Sequence, residues 1–189
     1  MSEETTTTTK IKVTKVKLGK DDTLDLEYDE IITSEETGPI LNQYVLKGGN
    51  KPHNDLLRTL EPLKLHVARI CEQLPGEGKM KVNGGGAIVE AITVTGVTIG
   101  GSDETEGVTI VAKRKLTSGK TLNLDTPFQK WEDEAYKYAN DLQSDISYLL
   151  AECEEYIRGK YAPNEQKDLF EDEQLCVLYT FGRRCRWGY

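Results

Sequence analysis

The sequence predicts an α+β fold of two tandem β-β-β-α repeat units, with antiparallel sheets that are each covered by a helix. Three observations predict it: short segments alternate apolar and polar residues, each half ends in a segment with helical apolar spacing, and the second half repeats the order of the first. With 189 residues, 37% of them hydrophobic, the chain is long enough to bury a core.

The first unit is predicted at residues 10–76, after a disordered, threonine-rich leader at residues 1–9. Strands are expected at residues 11–18, 23–29 and 40–47. The first strand loses its alternation by one position at Thr14 and Lys15, which predicts a β-bulge or a bend. The helix that follows is expected to be capped by Asn54 and to kink or restart at Pro62.

The second unit is predicted at residues 77–160 and lies over the first at a constant offset, with Ile92 at the position of Ile11 and Val97 at that of Val16. The same loss of alternation recurs. A long helix is expected to open at Thr126-Pro127 and to stop at Gly159. Residues 161–189 are predicted to form a polar linker and a short C-terminal strand and tail. Whether the units share one sheet or form two domains stays open.

The charge balance and the cysteines limit the class of protein. The formal net charge is −8, which disfavours wrapping duplex DNA because phosphate neutralisation needs a surplus of Lys and Arg. No apolar run reaches the roughly 20 residues of a membrane helix. The four cysteines are scattered, which is typical of reduced thiols. We therefore expect a cytoplasmic protein with no membrane partner.

Catalytic and metal-binding motifs are not found in the sequence. The two histidines, His53 and His66, have no Cys or His at zinc spacing, and no nucleophile stands in a known motif with a base. The glycines at 84–86 were expected to precede a strand, which is not the geometry that holds phosphate. The sequence predicts no catalytic residues, no metal, no cofactor and no enzyme activity.

Basic residues in the strands and the tail are the candidates for nucleic-acid binding. If the units pack side by side, the two basic hairpins would form one strip, and the tail places cations beside an aromatic ring, as in single-strand stacking. The alternative is that edge strands carry lysine to block aggregation. The candidate residues are Lys12, Lys15, Lys17, Lys113, Arg114, Lys115, Arg183, Arg184, Arg186 and Trp187.

A pentapeptide at 166–170 is similar to the clamp-binding peptide of bacterial replication proteins. The matching residues are Gln166, Asp168, Leu169 and Phe170, while Lys167 departs from the usual leucine. The Leu-Phe pair would fill an apolar pocket of the clamp and the glutamine would bond at its rim. Leu169 and Phe170 would otherwise pack on the core of this protein.

The segments 52–56 (PHNDL) and 118–128 (SGKTLNLDTPF), with Asp133 and Glu134 after them, carry a resemblance. The chain resembles small proteins, without an assigned activity, that bacteriophages and mobile elements of gut Bacteroidota encode. The resemblance covers roughly residues 10–160 and implies a phage or prophage setting, in which accessory proteins of DNA replication or host takeover are common. Relatives tend to end in a tail with glutamine and phenylalanine, similar to 166–170.

These observations predict a non-enzymatic phage accessory protein of DNA metabolism. Its expected partners are single-stranded DNA and a replication protein such as the sliding clamp, and it could form a homo-oligomer. Two alternatives stay open: a host-directed inhibitor or a protein that sequesters a nucleotide signal, and a component of the virion or its assembly.

Overall fold

A computed structural model of the protein describes residues 8–19, 23–34, 38–74, 85–132 and 135–163. The strands are β1 (Thr8–Leu18), β2 (Leu24–Ser34), β3 (Gly38–Leu46), β4 (Ile92–Gly100), β5 (Gly107–Lys115), β6 (Thr121–Asp125) and β7 (Gln129–Lys130). The helices are α1 (Asn54–Thr59), α2 (Leu63–Ile70), α3 (Gly85–Glu90) and α4 (Ala139–Ile157). The class is therefore α+β, and β1 includes the last two residues of the expected leader, Thr8 and Thr9.

All seven strands belong to one antiparallel sheet, in the order β3-β2-β1-β4-β5-β6, with β7 on β5 beside β6. The sequence left open whether the two halves share one sheet, and the structure shows that they do. The two halves of the chain meet where β1 pairs with β4 over three positions: Lys15 with Thr98, Val16 with Val97 and Lys17 with Gly96.

Both predicted bulges are present. The pairing of β1 with β2 shifts between Val13 and Lys15, and that of β4 with β5 shifts between Val94 and Gly96. Each bulge holds a threonine whose hydroxyl donates to a carbonyl oxygen of the next strand: Thr14 to Glu27 at 3.1 Å and Thr95 to Val111 at 3.3 Å. A bulge adds one residue, so the apolar alternation resumes one position later on the same face.

One face of the sheet carries the core. In β1, β2, β4 and β5 the buried residues alternate with more accessible ones, as expected for an antiparallel sheet with one face covered. Helices α2 and α4 contact this face, and α1 packs on α4. The largest side chains that are less than 2% exposed come from strands and helices alike: Val16, Leu24, Leu26, Leu56, Leu63, Val67, Ile92, Ile110, Leu142, Ile146, Leu149 and Tyr156.

The first helical segment is divided into two helices, as the presence of Pro62 led us to expect. Helix α1 ends at Thr59 and α2 begins at Leu63, directly after Pro62, because proline lacks the N–H that a continuous helix would need. The capping residue was wrongly predicted: His53, and not Asn54, caps α1, since its Nδ1 accepts a hydrogen bond from the backbone N–H of Asp55.

The long helix begins later than the sequence indicated. It starts at Ala139, whereas Thr126 directly follows β6 and bonds to β5: its N–H donates to the Ile110 carbonyl, and its buried hydroxyl accepts from the Ile110 N–H at 2.8 Å. These two hydrogen bonds hold Thr126 against β5, so the helix does not start there. The helix ends at Ile157 and Gly159 follows with φ +105°, which confirms the predicted stop.

Gly84 lies outside the described residues, and Gly85 and Gly86 begin α3, which precedes β4 and contacts α2. This corrects the sequence expectation, although a helix of six residues is short. No helix in the described part of the chain is both long and apolar enough to span a membrane.

Two residues near the middle of α4 test the packing of its buried face. Ile146 is 1% exposed and Tyr148 is 67% exposed. We expect Ile146→Ala to lower the free energy of unfolding by about 2–5 kcal/mol, because it removes buried methyl groups and leaves a cavity. The matched change Tyr148→Ala should alter it by no more than about 0.5 kcal/mol. Chemical denaturation measures both; equal losses would contradict this packing.

Candidate functional site

The face of the sheet opposite the core is not covered by any described helix, and it carries a groove of about 630 Å³ at the junction of the two halves. Three basic side chains line it: Lys15 and Lys17 from β1, and Lys113 from β5. The sequence predicted that basic residues of the two hairpins would lie on one surface, and these three do.

The groove exists because its floor carries small side chains. Gly96, Thr95 and Thr98 of β4 lie between β1 and β5. A Cβ atom at Gly96 would lie 3.4 Å from the Val16 carbonyl oxygen and 3.8 Å from the Val111 Cβ, so a larger side chain there would occupy the groove. The backbone of β4 is thus open to a ligand, which is one physical role of a glycine inside a strand.

The charges around the groove are mostly, but not all, positive. The Lys15 ammonium donates to the Glu27 carboxylate at 3.0 Å, an exposed pair of the kind that contributes little to stability. Asp25 also lines the groove, on the position paired with Lys17. Lys17 and Lys113 have no ion pair within the described residues, so both ammonium groups can bind an anion.

The other three predicted strand residues lie elsewhere. Lys12 forms an ion pair with Glu106 at 3.2 Å, beside a second cavity near α4. Lys115 is exposed at the end of β5, outside the groove lining. Arg114 lies on the core side, because alternate residues of a strand face opposite ways, and its guanidinium donates to the Gln73 side chain at 2.8 Å. Arg114 therefore lies on the opposite face of the sheet from Lys113 and Lys115.

The predicted sites of the C-terminal segment lie outside the described residues. They are the basic and aromatic tail residues Arg183, Arg184, Arg186 and Trp187, and the clamp-like peptide residues Gln166, Asp168, Leu169 and Phe170. Both remain predictions from the sequence.

A second polar cluster lies on the helix side, and the sequence did not predict it. His66 of α2 is 3% exposed; its Nδ1 is 2.7 Å from the Tyr136 hydroxyl, and its Nε2 is 3.1 Å from the Asp145 carboxylate. A cleft of about 440 Å³ adjoins it, lined also by Arg69, whose guanidinium lies 3.7 Å from the centre of the Tyr138 ring.

The order hydroxyl, imidazole, carboxylate is also that of a nucleophile, a base and its orienting acid. Here the electrostatics oppose that chemistry, because burial raises the pKa of Tyr136 to about 12 and lowers the pKa of His66 despite its bond to Asp145. Burial also raises the pKa of the Cys153 thiol to about 12, which keeps it protonated and unreactive. Through its hydrogen bonds His66 links α2 to Tyr136 and to Asp145 of α4.

Metal ligands do not gather in the part of the chain that the structure describes, where no group of three His, Cys, Asp or Glu residues comes together. His53 instead bonds to the first turn of α1, where its Nδ1 also lies 3.0 Å from the Asp55 carboxylate.

Sequence reasoning missed the floor of the groove and the His66 network for different reasons. Gly96 inside a strand pattern was a usable signal for a close backbone approach. His66 had no comparable signal, because Tyr136 and Asp145 lie 70 and 79 positions further along the chain.

The His66 network predicts a stability that depends on pH. Because the pKa of His66 is lowered in the folded protein, the unfolded chain binds more protons once the pH falls below about 6.5. The free energy of unfolding should therefore fall as the pH drops from about 7.5 to 5.5, above the range in which carboxylates usually titrate. Denaturation of His66→Gln should show a smaller fall.

His53→Gln is the matched control for this prediction, since it removes the other histidine and leaves the network intact. It should keep the fall of the unmodified protein. An unchanged pH profile in His66→Gln would show that the network does not contribute to it.

Comparisons with protein-family models, with curated proteins and with solved structures found no match. The function of this chain is therefore inferred from the groove, the charges around it and the uncovered face on which it lies.

Proposed function

We propose that this protein is a non-enzymatic binding protein of DNA metabolism that holds single-stranded nucleic acid in the groove on the uncovered face of the sheet. The observation that carries the proposal is the meeting of Lys15, Lys17 and Lys113 over a floor of small residues. Phosphate groups need positive charge and a close approach to the protein, and this groove supplies both.

The shape of the groove favours an extended chain. Its floor is β4 backbone with Thr98, whose hydroxyl can donate to a phosphate oxygen, while the Thr95 hydroxyl donates to Val111. A flexible single strand can follow such a surface, whereas the net charge of −8 would repel the long backbone of a duplex. Asp25 at the rim would repel phosphate groups, so the strand is expected to contact only the side of the groove that carries the lysines.

We further infer that the sheet arose by duplication of a β-β-β-α unit. The two bulges occur at matching positions, Thr14 and Thr95, and both threonines make the same kind of hydrogen bond. At the junction Val16 pairs with Val97, its matching residue, which is the pairing expected on a two-fold axis between copies. Under this hypothesis the groove is built from equivalent surfaces of both copies.

The setting we propose is a bacteriophage or prophage protein in the cytosol of the bacterial host. The resemblance at 52–56 and 118–128 supports it, and the clamp-like peptide would deliver the protein to replicating DNA. The alternative in which a nucleotide signal is sequestered predicts a different ligand for the same lysines, so a mononucleotide is the competitor of choice in binding experiments.

Salt dependence tests the proposal. For single strands, log K falls with log salt by about 0.7 per neutralised phosphate, so three lysines predict a slope of about −2. The double variant Lys17→Gln, Lys113→Gln should weaken binding of a labelled oligonucleotide and reduce the slope to about −0.7. Fluorescence anisotropy at several salt concentrations measures both.

The control removes two positive charges from the helix side with Lys64→Gln and Lys137→Gln. This variant should keep the slope of the unmodified protein. Equal loss in both double variants would mean that total charge, and not the groove, attracts the oligonucleotide. If a mononucleotide displaces the labelled oligonucleotide as effectively as an unlabelled oligonucleotide does, the result would favour the alternative in which the protein sequesters a nucleotide signal.

Gly96→Val tests the groove without a change of charge. The added side chain fills the floor, so oligonucleotide affinity should fall, whereas the melting temperature should hold or rise because valine suits a strand better than glycine. Gly96→Ala is the matched control, since its Cβ fits at ordinary contact distances and should weaken binding less. Unchanged affinity in Gly96→Val would exclude the groove as the binding surface.

A further inference from the structure

The free edge of the sheet at β3 differs from most edge strands. It runs for nine residues, Gly38–Leu46, pairs with β2 in an unbroken register and has no described strand on its other side. It contains no charged residue, and four of its large side chains are exposed: Ile40, Leu41, Tyr44 and Val45. Such an edge is a template for pairing with another strand.

The other edge of the same sheet is protected in the usual way. Strand β6 has only five residues, ends at Asp125 and directly follows Lys120. Short length and charged ends both discourage pairing between molecules. Strand β3 is longer than β6 and has no charged residue within it.

Pro39 identifies which backbone groups of β3 are free. It pairs with Thr33 of β2, and because proline has no N–H, this must be a pair without direct hydrogen bonds between the two residues. Residues of the same parity therefore direct their N–H and C=O groups away from β2. The free donors are the N–H groups of Leu41, Gln43 and Val45.

These three donors suit a second copy of the same strand. When two β3 strands run antiparallel about a two-fold axis at Gln43, Gln43 meets Gln43 of the partner copy, and Leu41 meets Val45. All free donors and acceptors at 41, 43 and 45 are then paired. Leu41 of each copy then lies opposite Val45 of the other, which gives two apolar cross-strand pairs. In the single chain Leu41 and Val45 are 59% and 61% exposed.

The charge that follows β3 favours the same arrangement. Lys47 directly follows the strand and is exposed. Antiparallel pairing places the two Lys47 side chains at opposite ends of the paired strands, whereas parallel pairing would place them side by side, where like charges repel.

We propose that the protein forms a symmetric dimer by antiparallel pairing of β3 with β3 of a second copy, centred on Gln43, which joins the two sheets into one. This inference does not depend on the proposed function. It places both uncovered faces on the same side of the joined sheet.

Hydrogen exchange and sedimentation of the full chain test this proposal. Exchange at the N–H groups of Leu41, Gln43 and Val45 should slow as the protein concentration rises. The N–H groups of Ile40, Asn42 and Tyr44 bond to β2 and should stay protected at every concentration, which provides an internal control. Sedimentation should show a monomer–dimer equilibrium over the same range.

Val45→Lys should weaken the dimer about tenfold or more, since it alters both Leu41–Val45 pairs and places a charge on the edge. Its fold should persist because Val45 is exposed, and circular dichroism checks this. Tyr148→Lys adds the same charge on α4 and should leave the dimer unchanged. A monomer at all concentrations would overturn the proposal, as would protection at 41, 43 and 45 that does not depend on concentration.

Discussion

The pairing of β1 with β4 is the contact on which the rest of the structure depends. It spans three residue pairs around Val16 and Val97, yet it joins the three strands of the first half and the four described strands of the second into one sheet. Val16 and Val97 are both buried, so the junction is anchored by apolar packing under the helices. Its opposite face carries Lys15, Lys17 and Gly96, so the same three pairs that close the core also form the groove.

The bulges at Thr14 and Thr95 determine which residues face which way across that junction. Without the extra residue, the alternation would turn Val16 or Val97 to the uncovered face, because a shift of one position reverses every side chain. The bulges thus keep the apolar residues in the core and the lysines on the groove. Helices cover only the core face, and this leaves the polar face and the β3 edge available for binding.

Local features were predictable where the residues that cause them are neighbours in the chain. The bulges, the break at Pro62 and the stop at Gly159 follow from patterns within a few positions, and each is present. The start of α4 was wrongly predicted, since Thr126 has the local features of a helix cap but its hydroxyl bonds to Ile110 on the sheet. A distant contact overrode the local preference there.

By itself, the sequence determined the α+β class, six of the seven described strands and the positions of the bulges, because apolar spacing directly reflects which face of an element is buried. Strand β7 was not predicted. Only the tertiary structure decided that the halves share one sheet, that Lys113 meets Lys17, and that His66 bonds to Tyr136 and Asp145. These residues lie far apart in the chain, so their meeting depends on how the strands and helices pack, which no local spacing encodes.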